Sequence, residues 1–111
     1  MISHDWPLDV DGDVFRRLLA HGFDFSKHHS VDFNVDFSLW PPLPAAIAEL
    51  EAMHGEVSLY EPDENGDGYA QFQIYGPVTY ESVMRVQSNT TAAMRPFGGI
   101  CDSWGVMQDA P

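Results

Sequence analysis

The chain has 111 residues, enough for one hydrophobic core and too few for two. Hydrophobic residues make up 44 % of it and aromatics 13 %, which argues against an intrinsically disordered chain. Against 17 acidic residues stand five Lys and Arg, a formal net charge of −12, so the surface disfavours phosphate backbones and suits a basic protein partner.

Residues 1–111 read as a single domain, with 1–8 as a loose N-terminal arm. That arm has neither the basic stretch nor the apolar run of a secretory signal, and no segment approaches the roughly 20 apolar residues of a membrane helix. The expectation is a soluble, cytoplasmic protein. Asp11-Gly12-Asp13 then predicts the cap of a first helix through Val14–His21, with Val14, Phe15, Leu18 and Leu19 on one face and Gly22 closing it.

The clearest strand is Val31–Leu39. Val31, Phe33, Val35, Phe37 and Leu39 alternate with Asp32, Asn34, Asp36 and Ser38, so one face meets the core and the other meets water. Pro41 and Pro42 end it, since neither donates to a ladder. Pro44 opens a second helix, which runs through Ala45–His54 and is closed by Gly55, with Ile47, Leu50 and Met53 as its buried stripe. A second strand spans Glu56–Glu61 with Val57 and Leu59 inward. Residues 62–68 predict a hairpin turn. The third strand, Tyr69–Tyr75, turns Ala70, Phe72 and Ile74 in and Tyr69, Gln71, Gln73 and Tyr75 out. Thr79 caps a long helix, buried along Val83, Val86, Thr90, Met94 and Phe97, and residues 100–107 form the closing strand. After the first helix the order is βαββαβ. Right-handed crossovers make this an α+β, ferredoxin-like sandwich: a four-stranded antiparallel sheet with helices packed on one face, plus the N-terminal helix.

Candidate chemistry is sparse. Asp63-Glu64-Asn65-Gly66-Asp67-Gly68 imitates the start of a calcium loop, but the twelfth position is Ile74 where a bidentate glutamate belongs, so it reads as turn chemistry, with weak calcium binding left as an option. The five histidines offer neither a His-x-x-x-His helical pair nor a facial ligand set. Cys101, the only cysteine, excludes an internal disulfide and falls among packing residues of the last strand. No phosphate loop, dinucleotide fingerprint or nucleophile elbow occurs. The expectation is no enzyme, no metal and no cofactor.

The wet sheet face is the candidate surface. Exposed aromatics on such a sheet stack RNA bases when basic residues surround them. Here the neighbours are carboxylates about 6.5–7 Å apart along one strand, which repel RNA; either they match Lys or Arg of a protein, or the face is simply solvated or partly covered by the first helix. The candidate protein-binding residues are Asp9, Asp13, Asp32, Asp36, Glu61 and Asp63, with Tyr69 and Tyr75 as aromatic anchors.

The order of Asp11-Gly12, Val31-Asp32-Phe33, Phe37, the Gly55 turn, Tyr69 and the closing Gly98-Gly99…Asp102-x-Trp104-Gly105 resembles the regulator of ribonuclease E activity B family of small acidic bacterial proteins. The resemblance implies the same α+β sandwich and a non-enzymatic inhibitor that binds ribonuclease E and lowers its cleavage of RNA. It assigns Gly98, Gly99, Asp102, Trp104 and Gly105 to a motif that fixes the fold. Two departures stand out: Ser103 replaces the glycine of an Asp-Gly-Trp triplet, and after Trp104 Asp109 alone is charged where some members carry an acidic tail. If that tail contributes to binding, this chain binds its enzyme more weakly. The alternative is a small-molecule or structural module whose acidity serves solubility, and sheets of this kind commonly dimerise through an open face, which leaves a homodimer as a further option.

Overall fold

One antiparallel sheet carries all three helices on a single face in the computed structural model, which describes residues 6–64 and 66–106. The first helix, α1 (Val10–Ala20), starts four residues before the expected Val14, because its cap is Asp9 rather than the Asp11–Asp13 triplet. The Asp9 carboxylate accepts from the Gly12 amide at 2.6 Å, which satisfies a backbone donor the helix cannot. Residues 1–5 of the expected arm lie outside the described residues. Trp6 stacks on Phe15 with ring centroids 5.4 Å apart, and its carbonyl accepts from Arg16 Nη1 at 3.1 Å.

The strand β1 (His28–Phe37) reaches further back than expected and stops earlier. His28 and His29 therefore point to opposite faces, His28 toward Tyr75 and His29 onto Phe23 at 4.3 Å. Leu39, expected to point inward, lies beyond the strand and is 81 % exposed. Then follow α2 (Pro44–His54), β2 (Val57–Tyr60), β3 (Tyr69–Pro77), α3 (Tyr80–Met94), a 3₁₀ turn (Arg95–Phe97) and β4 (Gly99–Val106). Thr79 caps α3 by accepting from the Ser82 amide at 3.1 Å. Leu59 and Met53 are more exposed than their patterns imply: β2 is a four-residue edge strand, and only Ala46 and Leu50 of α2 are fully buried. Along α3 the buried line is Val83, Gln87, Thr90 and Met94, with Val86 and Phe97 at its margin.

The strand order is β2-β3-β1-β4, and every pair is antiparallel. This is the βαββαβ arrangement expected from the sequence. Val31, Phe33, Val35 and Phe37 of β1 meet Phe72 of β3, Cys101 and Trp104 of β4, and Leu50, Val83 and Met94 of the helices. Each large side chain so buried stabilises the fold by about 1.5–3 kcal/mol. The helix α1 joins this side too, because Phe15, fully buried, lies 5.1 Å from the Trp104 ring and 6.1 Å from Tyr80. His54 is a packing residue: it stacks on Phe72 at 4.0 Å, sits 2.9 Å from Thr90 Oγ1, and burial lowers its pKa. Among the described residues, no helix packs on the far face of the sheet.

Candidate functional site

The register of the sheet sets the open face out in rows. Tyr60 pairs with Tyr69, Tyr69 with Asp36 and Asp36 with Ile100, so these four side chains cross all four strands on the exposed side. At about 4.8 Å per strand step, the row is about 14 Å wide. Tyr60 and Tyr69 stack at 4.9 Å with an interplanar angle of 17°. Such aromatic pairs across strands stabilise the sheet by about 0.2–1 kcal/mol.

The next row is polar. Tyr60 Oη donates to Gln71 Oε1 at 3.5 Å, Gln71 Nε2 to Asn34 Oδ1 at 3.0 Å and Asn34 Nδ2 to Ser103 Oγ at 3.1 Å. Donors run in one sense from β2 to β4, and the two amide groups are held in single orientations. Beyond it, Gln73 Nε2 donates to Asp32 Oδ1 at 2.6 Å. Side-chain amides thus engage the middle of the face, while carboxylates crowd one end.

At that end, a bulge in β4 after Cys101 brings Asp102 back toward β1. Partial burial, a hydrogen bond with Asp102 and the charges of Asp102 and Asp67 push the Asp36 carboxyl up to about 6. Glu61 accepts from Trp40 Nε1 at 2.8 Å, and the Trp40 ring packs so closely on Gly68 that a Cβ there would lie 2.8 Å from ring carbons. Asp63 and Gly66 close the turn through two backbone hydrogen bonds of 3.0 and 3.3 Å. Asn65 of that turn lies outside the described residues.

The structure therefore brings together Asp36, Glu61, Asp63 and Tyr69 at the end of the sheet where β1 finishes, with Asp32 at mid-face. It does not bring the others there. Tyr75, 71 % exposed, lies six residues along β3 beside His28 at 5.9 Å. That is about 20 Å from Tyr69 at strand rise. Asp9 and Asp13 belong to α1 in the helical layer, where Asp9 accepts from Tyr80 Oη at 2.5 Å and Asp13 pairs with Arg16 at 2.5 Å. Tyr60 and Ile100 join the face without having been singled out in the sequence, and Asp102, expected only as a motif residue that fixes the fold, joins it too. Alternation marks Tyr60 as outward, but its place beside Tyr69 needs the pairing register, and Asp102 needs the bulge.

Charge is segregated. None of the five Lys and Arg lies on a strand of the sheet: Arg16 and Arg17 belong to α1, Lys27 to the loop before β1, Arg85 to α3 and Arg95 to the 3₁₀ turn, where it lines one cleft with Asp102. Among the described residues, no group of three His, Cys, Asp or Glu is arranged to hold a metal ion. Among them, no helix is long and apolar enough to cross a membrane. The Cys101 thiol is pushed up to about 12 by burial and by Asp102 and Asp36, which removes it as a nucleophile at neutral pH.

The motif residues at the two ends of the chain meet at the helical layer. Trp104 Nε1 donates to Asp11 Oδ1 at 2.7 Å, and Gln87 Nε2 reaches the same oxygen at 3.3 Å. A Cβ on Gly12 would collide with the Pro7 carbonyl oxygen. Gly98 has φ +76° and leaves room for Ser38 Oγ, and Gly99 packs against Met94 and the Phe37 ring. No curated protein gives a significant match to the chain. The family model described as "Regulator of ribonuclease activity B" matches residues 8–106, spanning Asp11-Gly12, the whole sheet and Trp104-Gly105. The chain belongs to the regulator of ribonuclease activity B family.

Proposed function

We propose that this chain is a non-enzymatic protein regulator that binds ribonuclease E in the cytoplasm and lowers its cleavage of RNA. The match of residues 8–106 to a family named for regulating ribonuclease activity carries this reading. Charge supports it: a domain of net charge −12 whose sheet strands carry no Lys or Arg is attracted to a basic protein and repelled by the RNA that protein handles. Asp32, Asp36 and Tyr69 are the central contacts, with Glu61 and Asp63 at the rim. Asp9 and Asp13 already serve α1 as cap and ion pair.

Cleavage of a fluorescent RNA by purified ribonuclease E, with this protein titrated in, tests the proposal. Inhibition that rises with dose, without any gel shift of the RNA alone, is the expected result. Unchanged cleavage by an enzyme shown to be active would sink it.

A further inference from the structure

We infer that the carboxylate end of the open sheet face is a docking surface for an arginine-bearing extended segment of a protein, resting on the proposal that a basic protein is the partner. The row Tyr60–Tyr69–Asp36–Ile100 supplies three different kinds of contact within about 14 Å. Asp36 and Asp102 crowd one another, and no strand of the sheet carries a Lys or Arg beside them, while Arg95 shares a cleft with Asp102 on the side of α3. A guanidinium set between the two offers parallel N–H donors to both carboxylates and stays charged when desolvated. Its plane lies on the Tyr69 ring, which the Tyr60 stack holds in place, and its aliphatic stem covers Ile100, 52 % exposed.

Arginine is favoured over lysine here for a geometric reason. An ammonium is a point charge that meets one carboxylate well and stacks weakly, whereas Asp36 of this row and its neighbour Asp102 present acceptors from two carboxyl groups beside a flat ring. RNA is disfavoured by the same carboxylates. A second copy of the chain placed face to face would bring together two sheets whose strands carry carboxylates and no Lys or Arg, so like charges oppose that pairing.

Two synthetic twelve-residue probe peptides test the inference, each about one-third Arg or one-third Lys on a Gly-Ser background and titrated into ¹⁵N-labelled protein. The arginine peptide is expected to shift the amides of Asp36, Tyr69, Ile100 and Ser103 and to bind about tenfold tighter than its lysine counterpart. Asp36→Asn with Asp102→Asn, two near-isosteric changes checked for retained amide dispersion, is expected to weaken the arginine peptide about tenfold or more. Asp13→Asn with Asp24→Asn, which removes equal charge elsewhere, is expected to leave it within about twofold. Equal affinity for both peptides, shifts confined to the helical layer, or loss of the face to self-association would each overturn the inference. The enzyme assay separates the two claims. Inhibition that survives Asp36→Asn/Asp102→Asn sinks this surface and leaves the regulator proposal standing, whereas peptide binding here without inhibition by the unaltered protein does the reverse.

Discussion

Asp11 and Trp104, 93 positions apart in the chain, are joined by a 2.7 Å hydrogen bond from the indole N–H to Oδ1. The bond ties the first turn of α1 to the last strand, and Gln87 of α3 completes a junction of three elements at one oxygen. Both donors are shielded from water, so removing the acceptor orphans the indole N–H and leaves Gln87 Nε2 only a weak bond to Met84 Sδ at 3.6 Å. Asp11→Ala is expected to cost about 1.5–3 kcal/mol. For a domain of this size that lowers Tm by very roughly 6–20 °C. A double-mutant cycle with Trp104→Phe should give a coupling above about 1 kcal/mol, read from urea midpoints. Additive losses would mean that the bond contributes nothing of its own.

The glycines of the family motif divide by what surrounds them. A methyl on Gly12 meets the Pro7 backbone oxygen, and at Gly98 it meets Ser38 Oγ at 2.5 Å on a backbone with φ +76°. Gly105 has nothing within 4 Å of a Cβ and no positive φ. Alanine at position 12 or 98 is therefore expected to destabilise by about 1–3 kcal/mol. Gly105→Ala should stay within about 0.5 kcal/mol. A large loss at Gly105 would point to a demand on that residue outside the folded domain.

These contrasts show what the sequence made legible. Strict alternation in Val31–Phe37 and in Tyr69–Ile74 identified the two central strands and their buried faces, because period two over that length fits no helix. The Thr79 cap gave the start of α3, but the helix ends at Met94, ahead of the Gly98-Gly99 break, because Pro96 cannot continue its backbone ladder and Arg95–Phe97 tighten into a 3₁₀ turn. Asp9 was less visible as a cap, since Asp11 and Asp13 offer the same chemistry two and four residues later, and it takes tertiary partners to tell them apart: Trp104 and Gln87 engage Asp11, Arg16 engages Asp13, and Asp9 is left for the Gly12 amide and Tyr80. Leu59 and Leu39 misled for a different reason: alternation gives a face, but burial also needs a neighbour, and one lies on a short edge strand and the other beyond a strand end. The carboxylate end of the open face was half legible. Asp36 and Tyr69 could be assigned outward, whereas their meeting with Tyr60, Ile100 and Asp102 depends on strand order and a one-residue bulge.

Asp36 gives stability a dependence on pH. A carboxyl raised from 3.8 to about 6 holds its proton more tightly in the folded chain than in the unfolded one. Its contribution is complete below pH 3.8 and is lost as pH rises to about 6. Asp36→Asn should thus be more stable than the unaltered protein at pH 7.5, by less than about 1 kcal/mol because the residue is largely solvent-exposed. At pH 4 the two should be nearly alike. Melting curves at both values decide it: the same difference at pH 4 as at pH 7.5 would remove the crowding of Asp36 as its source.

Cys101 should be chemically silent in the folded protein. It is 3 % exposed, its thiol is pushed up to about 12, and its backbone is held by Thr91, whose hydroxyl accepts from the Cys101 amide at 2.9 Å. With almost no thiolate at pH 7.5 and no access, labelling by a disulfide reagent is expected to be at least about a hundredfold slower than in urea. Rapid reaction under native conditions would show that the cleft Cys101 lines between α3 and β4 opens far enough to admit the reagent.

Charge on the open face should govern association more than stability. Reversal of Asp32 and Asp36 together, each to Lys, places two cations where the face has none, and costs the fold chiefly the Gln73–Asp32 hydrogen bond. A change in stability of about 1 kcal/mol or less is expected. Inhibition of ribonuclease E should weaken much more, because reversed charges act on both the encounter and the bound state. Salt offers an orthogonal check. At 0.5 M the screening length is about 4 Å, shorter than the reach of most pairs across an interface. Inhibition by the unaltered protein should therefore fall steeply between 0.05 and 0.5 M salt, while the double reversal, already stripped of its attraction, should show a flat profile. Parallel salt profiles for the two proteins would mean that the attraction arises elsewhere on the molecule, and Asp9, Asp13 and the acidic residues of the helical layer would then be the ones to reverse.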